Sequence, residues 1–218
     1  MGSGGADRIV YAGARDMGGG EVVKQYRLIL ADPPWQYKDQ GTRLSPAYEG
    51  KQRKSGKRYD TMTLAEICAL GDWIRTIAAD DAILLLWSTH PIKETHPWPV
   101  MKAWGFRYST AIPWVKARWD VKKGRYIINT AGGHAVRSCS EEILVCVKGK
   151  LSNLGGSKGI PGVIISPFRG PSVKPPEQYE IAERIVPTGP YLELFARQQR
   201  PGWDGWGLEY PGMARDSA

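Results

Sequence analysis

Leu28-Ile29-Leu30-Ala31-Asp32-Pro33-Pro34-Trp35 joins a short apolar run to an acid, two prolines and a tryptophan. An unbroken apolar run of this length suits a strand buried on both faces. The two prolines end it, because each lacks the N–H that a ladder needs and holds the backbone extended. In an open α/β sheet, ligand-handling groups collect where strands end at their carboxyl termini. Asp32 therefore sits where such a sheet places its chemistry.

Further apolar runs of strand length follow at Ala82–Trp87, Ala111–Val115, Ile143–Val147, Val163–Ile165 and Tyr191–Phe195. Helical signals lie between them. Thr63-x-x-Glu66 is a capping box, and Leu64, Ile67, Leu70, Ile74 and Ile77 after it share one helical face. A second helix is predicted from Pro176 to Val186, with proline near its start and Gly189 beyond its end. Strands alternating with helices predict an α/β fold with a largely parallel sheet. Residues 1–20 are glycine-rich and aperiodic and read as a flexible leader, so one domain is expected over 21–212. The stretches 36–60, 117–140 and 150–173 follow neither period and read as long loops, functional or mobile.

Composition narrows the classes. Of 218 residues, 42% are hydrophobic and 24% charged, which excludes a disordered chain. The N-terminus lacks the apolar core of a signal peptide, and the run Ala82–Trp87 is too short to span a bilayer. A soluble, cytoplasmic protein with no membrane partner is expected. Cys68, Cys139 and Cys146 form no Cys-x-x-Cys pair, and His90, His96 and His134 show no metal-ligand spacing, so reduced cysteines and no metal are expected. A net charge of +8 points to an anionic partner, of which nucleic acid is the commonest. No Gly-x-Gly-x-x-Gly or Walker loop follows a strand, which disfavours a dinucleotide or ATP.

Many short motifs in register then carry a resemblance. After Asp32-Pro33-Pro34-Trp35 come Tyr59-Asp60-Thr61-Met62, Leu86-Trp87, Trp104-Gly105-Phe106 and Trp114-Val115-Lys116. Gly133-His134, Glu141, Leu144-Val145-x-Val147-Lys148-Gly149 and Lys174-Pro175 follow. Glu193-Leu194-Phe195-x-Arg197 and Gly202-Trp203-x-x-Trp206-Gly207 close the series. The chain resembles the MT-A family of adenine-N6 methyltransferases from about Leu28 to Trp206. That resemblance implies a Rossmann-like S-adenosylmethionine-dependent methyltransferase fold with the catalytic motif N-terminal to the cofactor motif. It implies S-adenosyl-L-methionine as cofactor, with Asp32, Lys174, Glu193, Phe195, Arg197, Gly207 and Glu209 around it. Glu193 and Arg197 would contact the ribose region, and Lys174 the cofactor carboxylate or the reacting centre. Two positions depart from the family pattern: Pro171 replaces a common histidine, and Leu208 a common asparagine, with Glu209 the available substitute.

The implied catalytic residues are Asp32, Pro33, Pro34 and Trp35. An adenine amino group is a poor nucleophile because its lone pair is delocalised into the ring. Acceptors on both N–H bonds would localise that pair. The Asp32 carboxylate supplies one, the Pro33 carbonyl, expected to lack a local partner, supplies the other, and Trp35 offers a ring for an extruded base. Lys174 just before a helix N-terminus opposes the helix dipole, which suggests that it serves an external anion. The segment 38–58, rich in lysine and arginine with tyrosines interleaved, is expected to meet phosphate. The substrate contacts expected are Trp35, Tyr37, Arg53, Lys54, Lys57, Arg58, Tyr59, Lys116 and His134, with the basic stretch from Lys116 to Arg125 as a second surface. Trp98, Trp104, Trp119, Trp203 and Trp206 read as packing residues.

DNA is favoured over RNA as the polymer, since no RNA-binding module is visible and the family's short members resemble microbial DNA-modifying enzymes. Adenine-N6 methylation of RNA, cytosine-N4 methylation of DNA, and a non-catalytic nucleic-acid-binding partner subunit are the alternatives. Sequence choice falls to short loops or to a second subunit (a homodimer or a partner), or is relaxed, because no segment is large enough for a separate recognition domain.

Overall fold

Strand β1, Tyr26–Ala31, is an inner strand of the sheet, and its alternation explains both layers around it. The computed structural model describes residues 23–36, 61–130 and 135–211. Leu28 and Leu30 point to one face of the sheet, where they meet Ile181, Ala182 and Val186. Ile29 and Ala31 point to the other, against Ile67, Ile74, Val100 and Trp104. Side chains alternate across a strand, so a run with no polar residue fits only a sheet covered on both sides.

The remaining elements follow in order. Helices α1 (Leu64–Ala69) and α2 (Gly71–Ile77) lead into β2 (Ala78–Ser88), then α3 (Pro97–Ala103), β3 (Arg107–Asp120) and β4 (Arg125–Ile128). After these come β5 (Ser140–Lys148), β6 (Ile164–Ser166), α4 (Glu177–Ile185), β7 (Tyr191–Leu194) and β8 (Trp203–Trp206). The strand order is β4-β3-β5-β2-β1-β7-β8, with β6 on β3.

The expected largely parallel sheet is mixed. Strands β2, β1, β7 and β8 are parallel neighbours, but β5 runs antiparallel between β2 and β3, and β4 is antiparallel to β3. A buried apolar run carries no direction, so Ile143–Val147 could not reveal its own reversal. Two reversals restore direction, so β3 points the same way as β1 and its end emerges on the same side as Asp32.

The single apolar face beginning at the capping box is divided between α1 and α2. The box itself is present: Glu66 N–H donates to Thr63 Oγ1 at 3.3 Å, and Thr63 N–H donates to Glu66 Oε2 at 2.7 Å. Leu70 closes α1, and Gly71 opens α2 against the end of α3, where a Cβ would collide with the Ala103 carbonyl. Glycine also has a low helical propensity, so the break falls where it is least costly. The proline-led helix keeps its boundaries within a residue as α4. Of the aperiodic stretches, 117–140 contains the end of β3 and all of β4, and 150–173 contains β6. The leader and most of 36–60 lie outside the described residues. Among the described residues no helix is long and apolar enough to cross a membrane. The three cysteines are free, and burial pushes the Cys146 thiol up to about 12, which keeps it from acting as a nucleophile.

Candidate active site

Asp32 leaves β1 at its carboxyl end, flanked by β2 on one side and β7 on the other. The next strand in sequence lies to one side and a late one to the other, so a crevice opens there. The turn after Asp32 is fixed at several points. Trp35 N–H donates to the Pro33 carbonyl at 2.8 Å, Met62 N–H donates to the Pro34 carbonyl at 2.9 Å, and Trp35 Nε1 donates to the Trp87 carbonyl at 3.1 Å.

Those bonds correct two expectations. The Pro33 carbonyl has a local partner after all, though its oxygen keeps a second lone pair for another donor. Trp35 is only 4% exposed and belongs to the core, with its ring edge-on to His96 at 5.9 Å. It cannot offer an open face to a base. A tryptophan directly after Pro-Pro either caps the turn or lines the cleft, and here its N–H found an acceptor inside.

The other residue drawn to Asp32 is Lys174. Its Nζ lies 2.9 Å from Asp32 Oδ2 and 3.2 Å from Glu141 Oε2, while Lys116 Nζ lies 2.6 Å from Glu141 Oε1. The four charges alternate in sign along one chain: Asp32, Lys174, Glu141, Lys116. Burial alone would pull the Lys174 ammonium down, but the carboxylates of Asp32 and Glu141 outweigh it and hold the proton above the usual lysine range. Burial alone would push Glu141 up, but Lys174 and Lys116 hold its carboxyl below the usual range. Lys174 also stands 5.1 Å over the Trp87 ring, whose Nε1 donates to Gln178 Oε1 at 2.7 Å.

Of the two places expected for Lys174, the cofactor carboxylate or the reacting centre, its contact with Asp32 is at the reacting centre. Helix polarity could not show that β1 and β5 deliver carboxylates to the same point. Lys116, expected to meet substrate, is turned inward instead. Its side chain is 12% exposed, paired with Glu141, and packed over the rings of Trp114 and Phe168 at 5.1 and 5.3 Å. It supports the site from within. Glu141 carries a role that residue-level reading missed, and its only signal was the motif match.

Along β7, Glu193 stands opposite Leu30 of β1, two residues before Asp32. The Tyr179 hydroxyl donates to it, at 3.0 Å to one oxygen and 3.2 Å to the other. Burial pushes the Glu193 carboxyl above its usual range, Tyr179 opposes this, and the Asp32 charge adds to the rise. Just beyond, Phe195 takes φ 62°, a left-handed conformation costing about 1 kcal/mol or more in a bulky residue. It is held by the Ala196 N–H, which donates to the Trp206 carbonyl at 3.0 Å. Gly207 is buried at the same junction, where a Cβ would lie 2.6 Å from the Ala196 oxygen. Arg197 Nε and Glu209 Oε2 face each other at 3.8 Å on the rim. Phe195, Arg197, Gly207 and Glu209 therefore gather at the ends of β7 and β8, beside Glu193. Tyr37, Arg53, Lys54, Lys57, Arg58, Tyr59 and His134 lie outside the described residues. Of the tryptophans expected to pack, Trp104 and Trp203 are buried, while Trp119 is 54% exposed on the β3–β4 hairpin.

This acid-ended strand, with its lysine partner and a second acid on the neighbouring strand, coincides with a family match over residues 26–209, to the model described as MT-A70. The chain belongs to the MT-A70 family. MT-A70 proteins are S-adenosylmethionine-dependent methyltransferases, and the Rossmann-like fold, the enzyme class and the cofactor follow. The chain is 33% identical over 200 residues to the type II methyltransferase M.MunI of Mycoplasma sp., covering 86% of this chain and 79% of that protein. It is 30% identical to the N(6)-adenosine-methyltransferase MT-A70-like protein of Drosophila melanogaster and 29% identical to the human catalytic subunit METTL3. Those matches cover 88% of this chain but only 28% and 29% of the two longer proteins.

The donor set suits the cofactor. Glu193 is a partly buried carboxylate with four lone-pair sites and one protein hydroxyl upon it, so it has acceptor capacity for the hydroxyls of a ribose. An ammonium has three N–H donors, and Lys174 directs its shortest contacts to the two carboxylates.

Proposed function

We propose that this protein transfers a methyl group from S-adenosylmethionine to N6 of adenine in DNA. The observation that carries this reading is Asp32 itself, placed at the end of β1 with one oxygen engaged by Lys174. Lys174 compensates the Asp32 charge and occupies Oδ2, leaving Oδ1 to accept an N–H of the target amine. The second lone pair of the Pro33 carbonyl accepts the other N–H. Two fixed acceptors draw the nitrogen toward tetrahedral geometry and localise its lone pair. Preorganised groups of this kind act without reorganising during the reaction.

The bound cofactor supplies an electrophilic methyl group; Glu193, with the turns at Phe195–Arg197 and Gly207–Glu209, would hold it. After transfer, Asp32 Oδ1 is placed to take the proton that the alkylated nitrogen sheds. Glu141 and Lys116 fix Lys174 and so fix the orientation of Asp32.

DNA is favoured because the chain is 33% identical to a type II methyltransferase, against 30% and 29% to two N(6)-adenosine-methyltransferases. The test incubates the protein with labelled S-adenosylmethionine and matched DNA or RNA, then identifies the modified nucleoside by mass spectrometry. N6-methyladenine in DNA is expected. Label only in RNA overturns the polymer, and N4-methylcytosine overturns the base.

A further inference from the structure

The catalytic turn holds no open ring, because Trp35 is buried. A base drawn out of a stack loses its neighbours and gains when an aromatic face replaces them. Among the described residues, four aromatic side chains are strongly exposed: Tyr108, Trp119, Tyr126 and Phe168. Tyr108 packs on Trp98, and Trp119 and Tyr126 pack on each other. Phe168 is the member of this set that touches the ion chain, 5.3 Å from Lys116 Nζ. We propose that Phe168 is the aromatic platform on which a base of the substrate strand stacks.

Three further features support the assignment. The ring is firmly based: two residues before it, Ser166 ends β6, which pairs in register with Trp114–Lys116 of β3, and Trp114 Nε1 donates to the Ser166 carbonyl at 3.1 Å. A ring on such a base loses little freedom when a ligand stacks on it. Lys116 lies between the rings of Trp114 and Phe168, so one face of the platform is set by a cation already anchored to Glu141. Arg169, exposed and next in sequence, brings a positive charge within reach of the phosphate of a stacked nucleotide. The segment that carries Phe168 also carries Lys174 six residues later, so the platform and the partner of Asp32 are joined by one short span.

The proposal rests on a nucleic-acid substrate, and its test separates the two. Phe168→Leu keeps apolar volume beside Lys116 but removes the aromatic face, whereas Phe168→Tyr keeps the face. Phe168→Leu should raise KM for DNA about 5- to 100-fold, the range for loss of one base stacked on one ring. Turnover at saturating DNA and affinity for S-adenosylmethionine should stay within about twofold of wild type, and Phe168→Tyr should restore KM. As a direct readout, an oligonucleotide carrying 5-iodouracil at the target position or at either neighbour should photocrosslink to the peptide containing Phe168. The position that reacts identifies the stacked base, and Phe168→Leu should lose the product. Unchanged KM in Phe168→Leu, or no crosslink to that peptide from any position, overturns the platform. If wild-type protein methylates no nucleic acid but the crosslink forms and depends on the ring, the platform stands and the catalytic reading fails.

Discussion

Lys174 reaches Asp32 from the segment before α4 and simultaneously holds Glu141 from β5, so a single ammonium joins the catalytic turn to the reversed strand of the sheet. Asp32 can be removed without disturbing the other pair, since Lys174 keeps Glu141. Asp32→Ala should lower turnover by about two to three orders of magnitude, the usual loss for one preorganised charged group. The fold and much of the cofactor affinity should persist. Steady-state methylation and calorimetry check this; an Asp32→Ala protein retaining more than about a tenth of wild-type turnover would remove Asp32 from the mechanism.

Glu141 is the structural counterpart. Glu141→Gln leaves the Lys116 and Lys174 ammonium groups without their shared carboxylate. Loss of one partner of a buried pair costs about 3–5 kcal/mol, and the residual solvent access here reduces that to about 2–3. The pH dependence has a definite sign. Glu141 is held below its ordinary value of 4.5, so its contribution is present above that pH and fades as pH falls through the lowered value. Lys174 is held above its ordinary value of 10.5, so its contribution is present below that pH and fades as pH rises through the raised value. Urea unfolding should therefore show Glu141→Gln less stable at about pH 7 and with a shallower loss of stability on the acid side. An acid limb identical to that of wild type would rule out Glu141 as a contributor.

Glu193 has the opposite sign. Burial raises its carboxyl, so ionising it at neutral pH opposes folding. Glu193→Gln should raise Tm while weakening S-adenosylmethionine by about tenfold, the effect of losing one charge-assisted hydrogen bond of about 1.5 kcal/mol. Differential scanning calorimetry and titration calorimetry read the two effects separately. If Tm falls together with affinity, Glu193 is a structural acid and not one strained for a ligand.

Arg197 and Glu209 sit on the rim at 3.8 Å, both more than a third exposed, and their mutual pairing adds little stability. Arg197→Ala should leave Tm within about a degree while lowering cofactor affinity several-fold, up to about the 1.5–3 kcal/mol of a charge-assisted hydrogen bond. Unchanged affinity in both Arg197→Ala and Glu193→Gln would move the cofactor away from the ends of β7 and β8.

The polymer contacts expected from 38–58 are tested by replacing Arg53, Lys54, Lys57 and Arg58 with alanine. DNA affinity should fall and its salt dependence flatten, by up to about one unit of slope for each phosphate no longer neutralised, with cofactor affinity untouched. Fluorescence anisotropy across a salt series decides it; an unaltered slope makes the segment a solvated face.

What the sequence determined by itself is local or periodic. The buried run Leu28–Ala31, its stop at Asp32-Pro33-Pro34, the Thr63 capping box and α4 follow from residue type and near-neighbour geometry, and all are present. Helix α3 was not legible, because His96-Pro97-Trp98-Pro99 carries turn residues whose placement in a first helical turn becomes evident only once Val100 and Met101 are seen buried. Hairpin β3–β4 was hidden by its exposure, since Trp119, Tyr126 and Ile128 follow no burial alternation. The tertiary structure alone decided which charges meet. Asp32, Glu141 and Lys174 are far apart in the chain, and their sequence neighbourhoods showed neither the Lys174–Glu141 pair nor the burial of Trp35. Strand order and direction are set by packing over the whole sheet, and it is the reversal of β5 beside β2 that brings Glu141 to Lys174. Burial then fixed the rest. A tryptophan ring and a lysine stem each lower their free energy by leaving water wherever a polar partner waits inside, and only the folded chain shows that the Trp87 carbonyl and the Glu141 carboxylate are those partners.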